Sequence, residues 1–213
     1  MNRNFRISVF VLAAAISGCA TTNREEQLQA AFSLTKEHFK NTATIKDDSL
    51  DTTAVITTLN GFQEKRGLLG IVWDDNFLRA FINKKTGKFS IQLYQVISYQ
   101  GSGWNFYQSV NYETPNGPEA RQVSSINRDV DCSNARYGGC KYTEHIGFEV
   151  DEKLLRTIAA GYQPGQQVVW KFKFNAKSGK EHNNGMLPAE IAGFFEAVDE
   201  YRVGHGFAVK TNN

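Results

Sequence analysis

Compact catalytic signatures are missing from this chain. The four histidines, His38, His145, His182 and His205, form no His-x-His or His-Glu-x-x-His spacing, so no local metal signature is present. There is no Gly-x-Ser-x-Gly, which removes the nucleophile elbow, and no phosphate-cradling loop of the glycine-lysine type. Long apolar runs are missing as well. The longest, at 7–16, has about ten residues, whereas a helix needs roughly twenty to cross a bilayer. Proline is scarce at 4 in 213 residues, and no glycine- or proline-rich linker or internal repeat divides the chain, so one main domain is expected.

What is present begins at the amino terminus. Met1 to Arg6 carries two arginines, Ile7 to Ile16 is apolar apart from Ser8, and Ile16-Ser17-Gly18-Cys19 follows. Charged, apolar and small-residue segments in that order make an export signal. The last four residues resemble the lipobox of bacterial lipoproteins, with Ile16 where leucine is commonest. The resemblance implies cleavage before Cys19 and lipid on the Cys19 thiol. It divides the chain into a signal peptide at 1–18, a lipidated tether with a helix at 19–40, and one β-rich domain at 41–213. The residue after the cysteine is Ala20 and not Asp, which in lipoproteins of Gram-negative bacteria implies sorting to the outer membrane, here with the domain facing the periplasm. The implied partner is thus the membrane, reached through several acyl chains whose buried methylenes each add about 0.8 kcal/mol.

Charge of one sign is also lacking. The chain has 24 basic and 22 acidic residues; loss of Arg3 and Arg6 with the signal leaves 22 of each. A neutral chain argues against nucleic acid or anionic lipid as the main partner. Two further cysteines, Cys132 and Cys140, flank a short loop containing Gly138 and Gly139. In an oxidising space such a pair closes as a disulfide. A metal site would need ligands nearby, and the closest histidine is His145. Asp129 to Ser133 faintly resembles a calcium loop, but Asn134 stands where that loop wants glycine and Cys140 where it wants glutamate. No cofactor and no metal are expected.

Periodicity supplies the fold. Leu28, Ala31, Phe32, Thr35 and Phe39 approximate a helical stripe over 21–40, with Asn23 as its cap. Alternation then dominates to Val150: Val55, Thr57 and Leu59; Leu69, Ile71 and Trp73; Phe77 to Ile82 with both faces covered; and Phe89, Ile91, Leu93, Ile97 and Tyr99. Asp74-Asp75-Asn76 reads as a turn and Lys85 to Lys88 as a hairpin turn. Trp104, Phe106 and Tyr112 share one parity and form a core face; 121–131 reads as a polar edge strand; Ile146, Phe148 and Val150 alternate again. Asp151 caps a short helix that Gly161 stops. Val168, Trp170, Phe172 and Phe174 alternate, and Leu187 to Arg202 is a helix with Pro188 in its first turn and Ile191, Phe194, Phe195, Val198 and Tyr201 as its stripe. The expected fold class is α+β: an antiparallel sheet folded on itself, sandwich-like, with two or three packed helices.

Tyr94 and Tyr107 sit on the polar parity of neighbouring strands, where flat rings beside amides can meet a peptide or glycan. His182-Asn183-Asn184-Gly185 reads as a polar loop, ordinary turn chemistry that also suits a site. Tyr94, Tyr107 and His182 are therefore the candidate ligand surface. Three functions compete: a non-catalytic binding or scaffolding module, a hydrolase that assembles His182 with Asp199 or Glu181, and an inhibitor acting through the Cys132–Cys140 loop. The first is preferred, with an envelope protein, peptide or glycan as its partner.

Overall fold

The computed structural model describes residues 19–63, 65–66, 71–72, 74–133 and 139–208. The expected signal at 1–18, the tip of the disulfide loop and the strand positions Leu69 and Trp73 lie outside the described residues. In chain order the elements are α1 (Cys19–Phe32), α2 (Lys36–Thr42), β1 (Thr44–Lys46), β2 (Thr53–Thr57), β3 (Lys65–Arg66), β4 (Ile71–Val72), β5 (Asp74–Asn83) and β6 (Phe89–Gly101). Then come β7 (Tyr107–Tyr112), β8 (Glu119–Gln122), β9 (Ser124–Asp131), β10 (Cys140–Val150), α3 (Glu152–Ala160), β11 (Trp170–Ala176), β12 (Glu181–Met186) and α4 (Pro188–Gly204).

Two antiparallel sheets share one core, which is the α+β sandwich-like class expected. The larger runs β1-β2-β5-β6-β10-β9 and the smaller β12-β11-β7-β8, while β3 and β4 pair by themselves. Strict alternation makes the larger sheet two-faced. Leu78, Ala80 and Ile82 of β5, Ile91, Leu93 and Ile97 of β6, and Ile146, Phe148 and Val150 of β10 all point inward and are buried. Phe148 meets Tyr112 of β7 at 5.5 Å and Phe174 of β11 at 6.1 Å, which joins the sheets through stacked and edge-on rings. Helix α4 closes the core with Ile191, Phe194 and Val198, all fully buried. Burying side chains of this size stabilises by about 1.5–3 kcal/mol each. Asp151 caps α3 by accepting from the Leu154 amide at 2.9 Å, and Arg156 of α3 grips Asp199 of α4 at 3.0 and 2.9 Å.

Several local expectations are corrected. The helix expected over 21–40 is two helices, broken at residues 33–35, where the Thr35 hydroxyl accepts from the His38 amide at 3.3 Å and caps α2. Asn23 falls inside α1 and not at its start, and α2 packs on α4 with Phe39 fully buried, so it belongs to the packed body. In β2 the core residues are Ala54 and Ile56, with Val55 and Thr57 on the opposite face. Asp74-Asp75-Asn76 is the start of β5, paired with Ile97, Val96 and Gln95. His182 to Gly185 is likewise strand, inside β12. These polar stretches fail as turn signals because their partners come from the other sheet. Asn184 Nδ2 donates to Gln95 Oε1 at 3.1 Å, and Asn76 Nδ2 donates to the Gly185 carbonyl at 3.4 Å. The polar segment 121–131 spans two edges: β8 borders the smaller sheet and β9 the larger. Val168 precedes β11 and is exposed.

Candidate functional site

The outward face of the larger sheet is not a plain solvated surface. Its residues are the second parity of the same strands: Val55 and Thr57 from β2, Phe77, Arg79 and Phe81 from β5, Tyr94 and Val96 from β6, and His145 from β10. With Thr44, Ile45 and Lys46 of β1 and Leu59 they line a cleft of about 520 Å³. Volumes of this size are typical of small-molecule sites.

The floor is a row of rings. Phe77 and Tyr94 are cross-strand partners and stack at 4.7 Å with 16° between planes. The Arg79 guanidinium lies 4.3 Å from the Tyr94 ring centre and 5.4 Å from that of Phe81. Nη2 of Arg79 donates to Gln92 Oε1, while its Nε is buried with no hydrogen-bond partner among the described residues. Gly147 makes room for this arrangement, since a Cβ there would stand 2.9 Å from the Gln92 side chain. Burial lowers the Arg79 pKa, opposed only by the nearby Tyr94.

At the other end, the Tyr94 hydroxyl and His145 Nδ1 are 3.0 Å apart, and His145 Nε2 lies 3.7 Å from Asp129 Oδ2 on β9. The Tyr94 phenol is pushed above its ordinary pKa, first by burial and then by Asp129, with Arg79 opposing. This row therefore holds a protonated phenol next to an imidazole. It does not hold an ionised nucleophile.

Of the three residues expected to form a ligand surface, only Tyr94 reaches the cleft. Tyr107 is 6% exposed and lies in the core between the sheets, with its phenol pushed up to about 12 by burial and then by Glu144. A register shift opposite Asn175 and Ala176 leaves Gln108 as an extra residue in β7, which inverts the parity and turns Tyr107 inward. Phe106, expected in the core, is 42% exposed and sits before β7 at φ 57°. His182 contacts Tyr107 edge-on at 6.4 Å, while Asp199 is held by Arg156 and Glu181 by Lys173 at 2.7 Å. Cys132 and Cys140 are joined as a disulfide with Cα atoms 4.2 Å apart. Cys19 is the first residue of α1.

Two buried polar centres were not foreseen from the sequence. Glu144, fully buried, accepts from the Tyr99 hydroxyl at 2.7 Å, from the Phe106 and Tyr107 amides at 3.0 and 3.3 Å, and from Arg128 Nε at 3.4 Å. Glu190 of α4 accepts from the Thr58 hydroxyl at 2.5 Å, and with Asp75 it borders a smaller cavity of about 110 Å³ beside α1. Burial pushes Asp75 up to about 7, and burial with the neighbouring Asp75 pushes Glu190 up to about 8. Among the described residues no group of three or more His, Cys, Asp or Glu side chains is arranged to hold a metal ion. Val96 alternation, Gly147 and the odd parity of Arg79 were the sequence signals that could have located the cleft. No family model, no curated protein and no solved structure matches the chain.

Proposed function

We propose that this chain is a lipoprotein of the cell envelope, tethered through lipid on Cys19 at the outer membrane and facing the periplasm, whose folded body binds a small amphipathic ligand without turning it over. The observation that carries the binding reading is the cleft: apolar walls around one desolvated guanidinium on an otherwise two-faced sheet. Pockets that bind small molecules combine a mostly apolar lining with a few placed polar groups. The disulfide suits an oxidising compartment. The tether concentrates the domain near membrane-derived ligands and partners.

The row Asp129–His145–Tyr94 favours the rival reading of an envelope hydrolase, because a histidine bridges a carboxylate and a hydroxyl. Against it, the phenol is raised in pKa and is a poorer nucleophile at neutral pH than an ordinary tyrosine.

The experiment uses the full chain, made by cell-free synthesis under oxidising conditions so that no acyl anchor or detergent competes. Anilinonaphthalene sulfonate, an apolar anion, is expected to bind saturably at one site. Val55→Trp, which fills the cleft, is expected to remove that binding with an unchanged circular dichroism spectrum. Ester, peptide and peptidoglycan-fragment substrates are expected to remain intact. Turnover that disappears in His145→Gln would overturn the binding reading, and absence of saturable binding would remove the cleft. In cells, labelled palmitate should enter the wild type and not Cys19→Ala; label in that variant would refute the tether.

A further inference from the structure

Arg79 is in an unusual position for a surface-sheet cation. Its guanidinium carbon lies 4.3 Å over the Tyr94 ring centre, and the group is partly removed from water. Among the described residues it has one hydrogen bond, to Gln92, and no carboxylate at ion-pair distance; its Nε has no partner at all. Taking a cation out of water without an anion is unfavourable, and proteins otherwise pair such groups. Of the carboxylates on this face, Asp129 is directed to His145 and Asn127, at 3.7 and 2.7 Å, and Glu149, across from Gln92 on β10, is exposed and forms no ion pair with Arg79 among the described residues. Lys46, exposed and 3.8 Å from Asp51, adds a second cation at the rim of the cleft.

We infer that the cleft is a site for an alkyl chain ending in a carboxylate, with Arg79 holding the head and the ring-and-valine floor holding the chain. The inference rests on the binding reading above and names its ligand class. The planar guanidinium presents parallel N–H groups that match a carboxylate, and its stacking on Tyr94 leaves little rotamer freedom to lose on binding. The Tyr94 hydroxyl and His145 stand beside the head position as further hydrogen-bonding groups. Around Arg79 the apolar lining is Val55, Leu59, Phe77, Phe81 and Val96, which offers an unbranched chain contact, with Thr44 and Thr57 as the only hydroxyls besides Tyr94 among the described lining residues. The guanidinium thus sits between Phe77 and Phe81 in a mostly apolar cleft. That pattern fits an acyl carboxylate better than a glycan, whose many hydroxyls need more polar partners than this lining offers.

The test is isothermal titration of the cell-free full chain with dodecanoate, dodecanol and acetate. Dodecanoate is expected to bind about tenfold or more tightly than dodecanol, the factor that one charge-assisted hydrogen bond supplies, and acetate is expected to bind too weakly to measure. Arg79→Gln should abolish the preference for dodecanoate over dodecanol. Arg79→Lys should recover part of the difference, since it restores the charge but not the planar fork. Thermal melts on each variant report whether the fold is kept. Equal affinity for dodecanoate and dodecanol, both lost in Val55→Trp, would keep the cleft and overturn the carboxylate inference. A folded Arg79→Gln variant that retains the preference for dodecanoate would overturn it as well. Failure of dodecanoate to bind a chain that still binds anilinonaphthalene sulfonate would overturn this inference and keep the binding reading, and failure of all these probes would overturn both.

Discussion

Phe106 shows how single residues here are held in conformations that their own chemistry does not favour. A non-glycine residue at φ 57° pays roughly 1–2 kcal/mol for the left-handed region. The strain persists because buried Glu144 takes the Phe106 and Tyr107 amides at once, and because Arg128 lies over the Phe106 ring at 4.9 Å. Glu144 is acceptor-only when ionised, which is what four converging donors require. Glu144→Gln replaces one acceptor oxygen by an NH₂ group facing N–H donors. We expect a loss of about 2 kcal/mol in urea denaturation, within the range for unsatisfied buried groups, with increased exchange of the Phe106 and Tyr107 amides. An unchanged midpoint would show that Glu144 does not organise this corner. None of this was legible in the sequence: Glu144 sits in a strand with ordinary alternation, and its four donors come from β6, the turn before β7, the first residue of β7, and β9.

Between elements, α2 and α4 approach each other closely. A Cβ at Gly193 would stand 2.3 Å from the Lys36 carbonyl oxygen and 2.8 Å from the Lys40 amide nitrogen, so only glycine lets the two backbones meet. Lys36–Glu196 and Lys40–Glu200 ion pairs flank the contact at 2.6 and 2.8 Å. Alanine would ordinarily favour a helix interior over glycine by about 1 kcal/mol. Here the clash reverses the sign: Gly193→Ala should destabilise by about 1–3 kcal/mol, as overpacking does, and hydrogen exchange should rise selectively in α2. A stabilised variant would mean that α2 does not pack this tightly. The stripe of α4 was readable from its apolar spacing. The break between α1 and α2 was not, because the Leu28-to-Phe39 stripe continues across it and only the Thr35 cap and the glycine contact reveal two helices.

For the folded protein as a unit, stability should depend on pH through Asp75 and Glu190. Both carboxyls are raised on folding, from 3.8 to about 7 and from 4.5 to about 8. The folded state therefore binds these protons more tightly than the unfolded chain. Their contribution is fully present below the ordinary carboxylate range and is lost as pH rises through about 7 and about 8. Asp47 acts in the opposite sense: hydrogen bonds from Lys84 and Tyr201 hold it below its ordinary value, so its contribution fades only in acid. The melting temperature is expected to fall from about pH 6 to pH 9, and Glu190→Gln should flatten that slope. A flat or rising wild-type profile over that range would contradict the protonated pair.

Local patterning along the chain was enough for the sheet class, the α3 and α4 helices, the hairpin turn at Lys85–Lys88 and the pairing of Cys132 with Cys140, because each follows from periodicity, turn chemistry or loop closure. Packing between distant segments was needed to fix which parity of β2 faces the core, to make strands of Asp74 to Asn76 and His182 to Gly185, and to bring Tyr94 to Arg79 and His145 while burying Tyr107. The physical reason is the same in each case. A polar side chain reports solvent only when no distant partner exists, and Gln95, Glu144, Thr58 and the bulge at Gln108 are partners and distortions contributed by other strands.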